Sequence, residues 1–271
     1  MTRYVALGSS FAAGPGIDPI VVPACGRSGR NYPSLVAERL GYDLVDVSSG
    51  GATIADVLDR PQALLTGDTV PPQLEAVGPD ADLVTVTVGG NDAEYLLTLL
   101  RCSYQADPEG APPGTAAFFD TPVDPAACAA ALDRLPAELA RLVGAVRERA
   151  PRARVVLVDY LTVVPDSGEG CPALPMSEEH RALAAHLGRR LAAATAEAAA
   201  ATGAELVEAS RLSQEHSICA DEPWVTGWVF GDMLAGGVAP YHPNAAGMRA
   251  VADRLVEQLT HGPAPSGTQP P

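Results

Sequence analysis

The sequence predicts an α/β fold built on a parallel sheet. Five short apolar runs rich in β-branched residues recur along the chain, and helical patterns lie between them. The runs are apolar almost throughout rather than alternating, which is typical of strands that helices cover on both faces. Strands that alternate with helices in this way indicate a parallel sheet. The predicted strands are "YVALG" (4–8), "YDLVDVS" (42–48), "DLVTVTVGG" (82–90), "RVVLVDYL" (154–161) and "AELVEA" (204–209).

Three helices are predicted from signals at their ends. Gly41 is a suitable C-terminal cap for the first of them. Ser177 is a suitable N-cap for the second, and Gly203 is expected to end it. The predicted helices span residues 31–41, 177–202 and about 245–260.

Two segments carry no regular pattern. Residues 101–127 are rich in Pro, Gly and Asp, and we expect a long irregular loop there. Residues 262–271, "GPAPSGTQPP", are too rich in proline to pack, and we expect a disordered tail. The remaining residues, 1–261, are expected to form a single domain.

Composition and charge exclude several classes of function. The chain has 271 residues and a net charge of −15, with a pI of about 4.6. A surface this acidic argues against nucleic-acid binding, which needs positive charge. No apolar run approaches the ~20 residues of a membrane span, so stable membrane insertion is not expected.

The first residues and the cysteines bear on location and on metal binding. The start of the chain, "MTRYVALG", lacks the long apolar stretch of a signal peptide, which predicts a cytoplasmic protein. The alternative is a secreted protein whose signal has been removed. The five cysteines form no C-x-x-C pair and have no histidine at zinc spacing, so a metal site is not expected.

Small and polar residues follow the first three predicted strands and precede the last helix. Ser10 follows the first strand, Gly51 the second and Asn91 the third, and His242 lies in "YHPNAAG" just before the last helix. Because the carboxyl ends of parallel strands meet at one edge of a sheet, we expect these residues to share a crevice. Neither a P-loop, a G-x-G-x-x-G turn nor a G-x-S-x-G elbow occurs in the chain, which argues against nucleotide binding and against an α/β-hydrolase.

This ordered set of four blocks resembles the SGNH (GDSL-type) hydrolases, a family of esterases and lipases. The segment "PYHPNAAGM" and the Pro-rich, Cys-bearing loops resemble most the actinobacterial esterase/lipase branch. The resemblance implies a three-layer α/β/α, flavodoxin-like fold with a five-stranded parallel sheet. It also implies hydrolysis of a small-molecule ester or lipid without a cofactor, and we expect a monomer.

The resemblance assigns a role to each block. Ser10 matches the family's nucleophile, and His242 matches the base that takes its proton. The backbone N–H groups of Ser10 and Gly51 and the side-chain amide of Asn91 match the oxyanion hole. Asparagine suits the last position because only an amide, and not a carboxylate, offers a donor.

The chain departs from the family pattern at two positions. Ser9 stands where the family usually has an acid. Ala239 stands where the family usually has an aspartate, three residues before the histidine. The Nδ1 proton of His242 still needs an acceptor. We expect the backbone carbonyl of Ala239, or of a neighbour such as Val238, with Asp232 as the alternative. The expected mechanism is therefore a Ser–His dyad.

By analogy with secreted members of the family, the expected disulfides are Cys102–Cys128 and Cys171–Cys219, with Cys25 left free. Four aromatic residues have two open interpretations, as walls of a substrate pocket or as packing residues. They are Phe118, Phe119, Trp224 and Trp228.

Two alternatives to ester hydrolysis remain open. The same chemistry would serve a carbohydrate deacetylase or an acyltransferase. The missing aspartate motivates the other alternative, a catalytically degenerate protein that only binds an acyl or carbohydrate ligand.

Overall fold

A five-stranded parallel sheet forms the centre of the molecule, which confirms the predicted fold class. The structure is a computed structural model and describes residues 1–231 and 237–261. The strands are β1 (Arg3–Gly8), β2 (Ile20–Val22), β3 (Arg27–Ser28), β4 (Asp43–Asp46), β5 (Gln62–Ala63), β6 (Thr69–Val70), β7 (Leu83–Thr87), β8 (Arg154–Val158) and β9 (Glu205–Val207). The helices are α1 (Ser10–Ala13), α2 (Tyr32–Leu40), α3 (Ile54–Leu58), α4 (Tyr95–Ala106), α5 (Ala116–Phe119), α6 (Pro125–Arg149), α7 (Glu178–Thr202), α8 (Ala209–Leu212) and α9 (Ala245–His261).

The strand order of the central sheet is β4-β1-β7-β8-β9. The chain crosses from β1 to β4 on one side and then returns to add β7 on the other, so the order reverses beside β1. Val5 of β1 accordingly pairs with Val45 on one side and Val84 on the other. In open α/β sheets, ligands bind outside the carboxyl ends of the strands at such a reversal. The hairpins β2–β3 and β5–β6 lie outside this sheet.

Helices flank the sheet and bury its strands. α2 packs against α9, while α6 packs against α7 with α4 beside it. The core runs through the central strands, where Tyr4, Leu7 and Leu157 are almost completely buried. Burial of both faces explains why the strands are apolar throughout rather than alternating.

The predicted helix ends agree with the structure. Gly41 and Gly203 take left-handed conformations with φ of 66° and 69°. The Ser177 hydroxyl accepts a hydrogen bond of 3.2 Å from the N–H of His180 at the start of α7. These contacts satisfy backbone groups that a helix leaves unpaired at its ends.

The prediction of an irregular loop over residues 101–127 is wrong for much of that segment. α4 continues to Ala106 because its buried side, which includes Leu99 and Cys102, extends into the segment. α6 begins at Pro125, after Asp124 accepts hydrogen bonds of 3.0 Å from two backbone N–H groups. An aspartate followed by a proline at the first helical position is a start signal that could have been recognised.

The structure contains the predicted disulfide Cys171–Cys219. The predicted pair Cys102–Cys128 is wrong, because both residues are free, buried thiols, on α4 and α6. The hydroxyl of Thr98 lies 3.7 Å from the Cys128 sulfur. Burial raises the pKa of Cys102 to about 11, so this thiol stays neutral and packs as a small apolar group. Cys25 is free, as predicted.

None of the helices in the described ranges is long and apolar enough to span a bilayer. The predicted tail, residues 262–271, lies outside the described residues.

Candidate active site

Four loops that are far apart in the sequence open into one cleft of about 660 Å³. Ser10, Gly51, Asn91 and His242 all line this cleft. The first three follow β1, β4 and β7, which are the three neighbouring strands at the reversal in strand order. The sheet topology thus brings Ser10, Gly51 and Asn91 to one place, and the loop before α9 adds His242.

The predicted nucleophile lies at a tight crossing of two chains. The Ser9 N–H donates to the Thr87 carbonyl at 2.8 Å, and Ser10 then begins the short helix α1. Gly8 has φ of 147°, and a Cβ atom there would lie 2.5 Å from the Thr87 oxygen. Only glycine fits this position, which turns the chain so that Ser10 reaches the cleft.

The imidazole of His242 is held by a backbone carbonyl. Its Nδ1 lies 2.8 Å from the carbonyl oxygen of Pro240. In the neutral ring, Nδ1–H therefore donates to Pro240, and Nε2 keeps its lone pair. Phe11, the residue after Ser10, packs against this ring with centroids 5.6 Å apart. His242 thus lies beside the start of α1.

The prediction that the Ala239 carbonyl accepts the Nδ1 proton of His242 is wrong. That carbonyl accepts from the hydroxyl of Thr226 instead. Tyr241 adopts a left-handed φ of 60°, and the turn that this produces brings the Pro240 carbonyl back to the ring of His242. Asp232, the alternative acceptor, lies outside the described residues.

Burial changes the protonation of the histidine. It lowers the pKa of His242 from 6.5 to about 4, because the charged imidazolium would lose its hydration, and the Pro240 contact opposes this only in part. The ring is therefore neutral at pH 7 and able to accept a proton.

The residues of the three predicted oxyanion donors line the cleft and differ in their hydrogen bonds. Among the described residues, neither the Ser10 N–H nor the Gly51 N–H donates to another protein group. The Asn91 side-chain nitrogen donates one hydrogen to the Ala52 carbonyl at 2.9 Å and has a second hydrogen to spare. Asn91 does not cap α4, because that helix begins only at Tyr95.

Tyr160 connects two of the site loops, and the sequence analysis missed it. Its hydroxyl accepts from the Gly90 N–H at 2.9 Å and lies 3.1 Å from the Ser9 hydroxyl. A Cβ atom on Gly90 would lie 2.7 Å from the tyrosine ring, so the two are packed in direct contact. Ser9 thus joins a hydroxyl pair at the position where the family usually has an acid. The available signal was the place of Tyr160 just after β8, at the same edge of the sheet.

Asp92 connects the loop after β7 to α3. Its carboxylate lies 3.1 Å from the Ile54 N–H at the start of that helix. Burial raises the pKa of Asp92 to about 6. A carboxylate at a helix N-terminus accepts from backbone N–H groups that have no partner within the helix.

Apolar side chains form most of the remaining wall of the cleft. They are Leu64, Leu65, Leu96, Leu100, Phe119 and Phe230. At the rim, Arg60 pairs with Asp56 at 2.8 Å. No cluster of three or more His, Cys, Asp or Glu side chains suited to a metal ion occurs within 1–231 and 237–261.

The structure separates the four aromatic residues whose roles were left open. Phe119 lines the cleft, whereas Phe118 is 65 % exposed and does not. Trp228 is buried and packs at its edge against Phe230, with centroids 4.7 Å apart. Trp224 stacks on His216 at 3.8 Å. Only Phe119 therefore contributes directly to the wall.

Comparisons with known proteins agree with the fold. Residues 6–250 match the model of the GDSL-like Lipase/Acylhydrolase family. Lipase 2 of Streptomyces coelicolor is 36% identical over 273 residues, covering 94% of this chain and 85% of that protein. A lipase of Streptomyces rimosus is 29% identical and covers 91% of this chain and 82% of that protein.

Solved structures agree as well. The crystal structure of an extracellular lipase from Streptomyces rimosus has a TM-score of 0.70 and 28% identity, covering 94% of this chain and 98% of that one. A phospholipase A1 from Streptomyces albidoflavus, 23% identical with a TM-score of 0.71 over 95% of this chain and 98% of that one, shares the fold. The resemblance found in the sequence is thereby confirmed: the chain belongs to the GDSL-like lipase/acylhydrolase family and is a carboxylic ester hydrolase.

Proposed function

We propose that the protein cleaves carboxylic esters with a Ser–His dyad formed by Ser10 and His242. The observation that carries the proposal is the neutral imidazole at the wall of the cleft that Ser10 lines, with its Nδ1 proton donated to the Pro240 carbonyl. This contact fixes the tautomer in which Nε2 is the base. The contact with Phe11 keeps the ring beside Ser10.

The reaction proceeds through an acyl-enzyme. His242 Nε2 takes the hydroxyl proton of Ser10 while the oxygen attacks the ester carbonyl. The resulting imidazolium then gives this proton to the leaving alcohol, and the carbon–oxygen bond of the ester breaks. Water repeats the sequence on the acyl-enzyme, which releases the acid and restores both residues.

Three donors stabilise the negative charge on the tetrahedral intermediate. They are the N–H groups of Ser10 and Gly51 and the side-chain amide of Asn91. Loss of one such donor typically lowers kcat by about 10²–10³-fold. A carbonyl at Nδ1 stabilises the imidazolium less than a carboxylate would, so we expect a modest rate for this dyad.

The apolar wall of the cleft favours an ester with a hydrocarbon acyl chain as the substrate. Leu96, Leu100, Phe119 and Phe230 offer few hydrogen-bonding groups to a sugar. The cleft therefore supports the lipase and esterase function better than carbohydrate deacetylation.

Secretion is the better-supported location. Disulfides such as Cys171–Cys219 form mainly in oxidising compartments, and the Streptomyces rimosus relative is described as extracellular. The cytoplasmic expectation has no support from either observation.

A fluorophosphonate probe tests the nucleophile. We expect mass mapping to find the label on Ser10, and Ser10→Ala to abolish both labelling and steady-state ester hydrolysis while the far-UV spectrum is retained. Ser34→Ala, in α2 and outside the cleft, is the matched control and should behave as the wild type. Label on another residue would refute the dyad. Wild-type protein that folds but hydrolyses no ester, across p-nitrophenyl esters graded by chain length, would favour the degenerate binding protein.

A further inference from the structure

The glutamine at the start of the β5–β6 hairpin reaches into the loop after β4. Gln62 is 6% exposed, although its hairpin lies outside the central sheet. Its side-chain nitrogen donates to the Gly50 carbonyl at 2.7 Å. Both Gln62 and Gly50 line the cleft. The hairpin therefore contacts the backbone next to the expected oxyanion donor Gly51.

The contact fixes the direction of the Gly51 N–H. The Gly50 carbonyl and the Gly51 N–H belong to the same peptide group, which is planar and trans. In a trans peptide the C=O and N–H bonds point in opposite directions. Holding the oxygen against Gln62 thus turns the N–H away from the hairpin. That N–H has no partner within the described ranges, so it is available to a ligand.

This peptide needs such a restraint because glycine lies on both sides of it. Gly51 has φ of 77°, and a Cβ atom there would lie 3.7 Å from the Gln62 side-chain nitrogen. A peptide between two glycines rotates at little steric cost. The Gly50 N–H donates to the Cys25 carbonyl at 2.8 Å, but this bond restrains the preceding peptide and not the one that carries the Gly51 N–H.

The chemistry of the glutamine is asymmetric. Its nitrogen has a partner, whereas its buried oxygen has none within the described part of the chain. A buried acceptor without a partner destabilises a fold. Packing alone would be served by an apolar residue of the same length, so the donor directed at Gly50 is the property that distinguishes glutamine here.

We propose that Gln62 is a positioning residue for the oxyanion hole, acting through the Gly50–Gly51 peptide. The inference rests on the proposed function, in which the Gly51 N–H binds the oxyanion. Without the donor, the peptide samples orientations that point a carbonyl, rather than an N–H, at the developing negative charge.

Gln62→Met tests the proposal, because methionine keeps the length of the side chain and removes the donor. We expect kcat to fall about tenfold or more, with KM within twofold, since a misdirected donor acts in the transition state. Gln258→Met is the matched control. Gln258 lies on α9 and does not line the cleft. It is also buried, and its side-chain nitrogen donates one hydrogen bond, to the Glu205 carboxylate. The Gln258→Met variant should have a lower melting temperature and an unchanged kcat.

A thionoester distinguishes a positioning role from a structural one. Sulfur accepts hydrogen bonds poorly, so an intact oxyanion hole favours the oxygen ester over its thiono analogue. We expect this preference to shrink in Gln62→Met and to stay at the wild-type value in Gln258→Met. An unchanged kcat and an unchanged oxo/thiono preference in folded Gln62→Met would overturn the proposal. Activity that survives in Ser10→Ala would instead overturn the dyad itself.

Gln62→Glu keeps the test decisive if the methionine variant does not fold. A protonated glutamic acid still donates to the Gly50 carbonyl, whereas the carboxylate repels it. We expect the kcat of Gln62→Glu relative to the wild type to fall as pH rises through the pKa of the new carboxyl. Asp56, Arg60 and His242 also line the cleft, and their titration cancels in this ratio. A pH-independent ratio near one would contradict the proposed role of Gln62.

Discussion

Acidification tests the catalytic base directly. Burial lowers the pKa of His242 to about 4, against 6.5 for a solvated imidazole. At about pH 5.5, roughly 97 % of rings with the lowered pKa are neutral, against roughly 9 % with the ordinary pKa. We therefore expect kcat/KM to remain near its plateau at this pH, about tenfold above the value for an unshifted histidine. The acid limb of the profile should lie close to pH 4.

The assay is kcat/KM for a soluble short-chain ester from pH 3.5 to 8, with the released acid or alcohol quantified by chromatography. The acid limb of the kcat/KM profile reports the pKa of the essential base in the free enzyme. Because the unfolded imidazole binds its proton first, the His242 contribution to stability is lost as pH falls from about 6.5 through about 4. Circular dichroism at each pH tests whether the protein is still folded.

Asp92 provides the control, because burial raises its pKa to about 6 and it neighbours Asn91. A limb near pH 6 that disappears in Asp92→Asn belongs to that carboxyl. Burial raises the pKa of Asp159 to about 6 as well. Asp92 and Asp159 therefore act on stability in the direction opposite to His242: their contribution to the free energy of unfolding increases as pH falls from about 6 towards the ordinary aspartate pKa. A limb near pH 6.5 that persists in Asp92→Asn would refute the buried, neutral base.

Two further predictions concern the supports of the site. Tyr160→Phe leaves the buried Gly90 N–H without its acceptor and should cost about 1–3 kcal/mol in unfolding free energy, measured by urea denaturation. Tyr160→Phe should also lower kcat. The control is Tyr4→Phe, which removes another buried hydroxyl away from the cleft and should lower stability alone. Equal kcat values in the two variants would contradict a role of Tyr160 in supporting the site. Replacing both Cys171 and Cys219 by serine should lower the unfolding free energy by up to about 4 kcal/mol, from the 48-residue separation that the disulfide closes. The double-serine variant should retain its kcat at 25 °C. An unchanged denaturation midpoint would contradict the stabilising role of the disulfide.

The fold was predictable because it depends on properties that sequence displays directly. Continuous apolar runs marked the strands of the sheet, and glycine and serine marked the helix ends. The parallel arrangement then placed Ser10, Gly51 and Asn91 at one edge, since each follows a strand. The start of α6 was missed because the richness of residues 101–127 in Pro, Gly and Asp was interpreted as a loop.

The supports of the site were not predictable in the same way. The acceptor for His242 is a backbone carbonyl, which every residue carries, and the choice of Pro240 depends on the left-handed turn at Tyr241. Tyr160 and Gln62 reach the site from a different strand and from a separate hairpin. Their contacts depend on tertiary packing that no local pattern encodes.

The two residues that we propose as the dyad lie far apart in the sequence. Ser10 follows β1, whereas His242 precedes α9, which packs against α2. While α9 is undocked, a folding chain has the serine without the base that we propose for it. We therefore expect the onset of ester hydrolysis during refolding to mark the docking of α9 against α2.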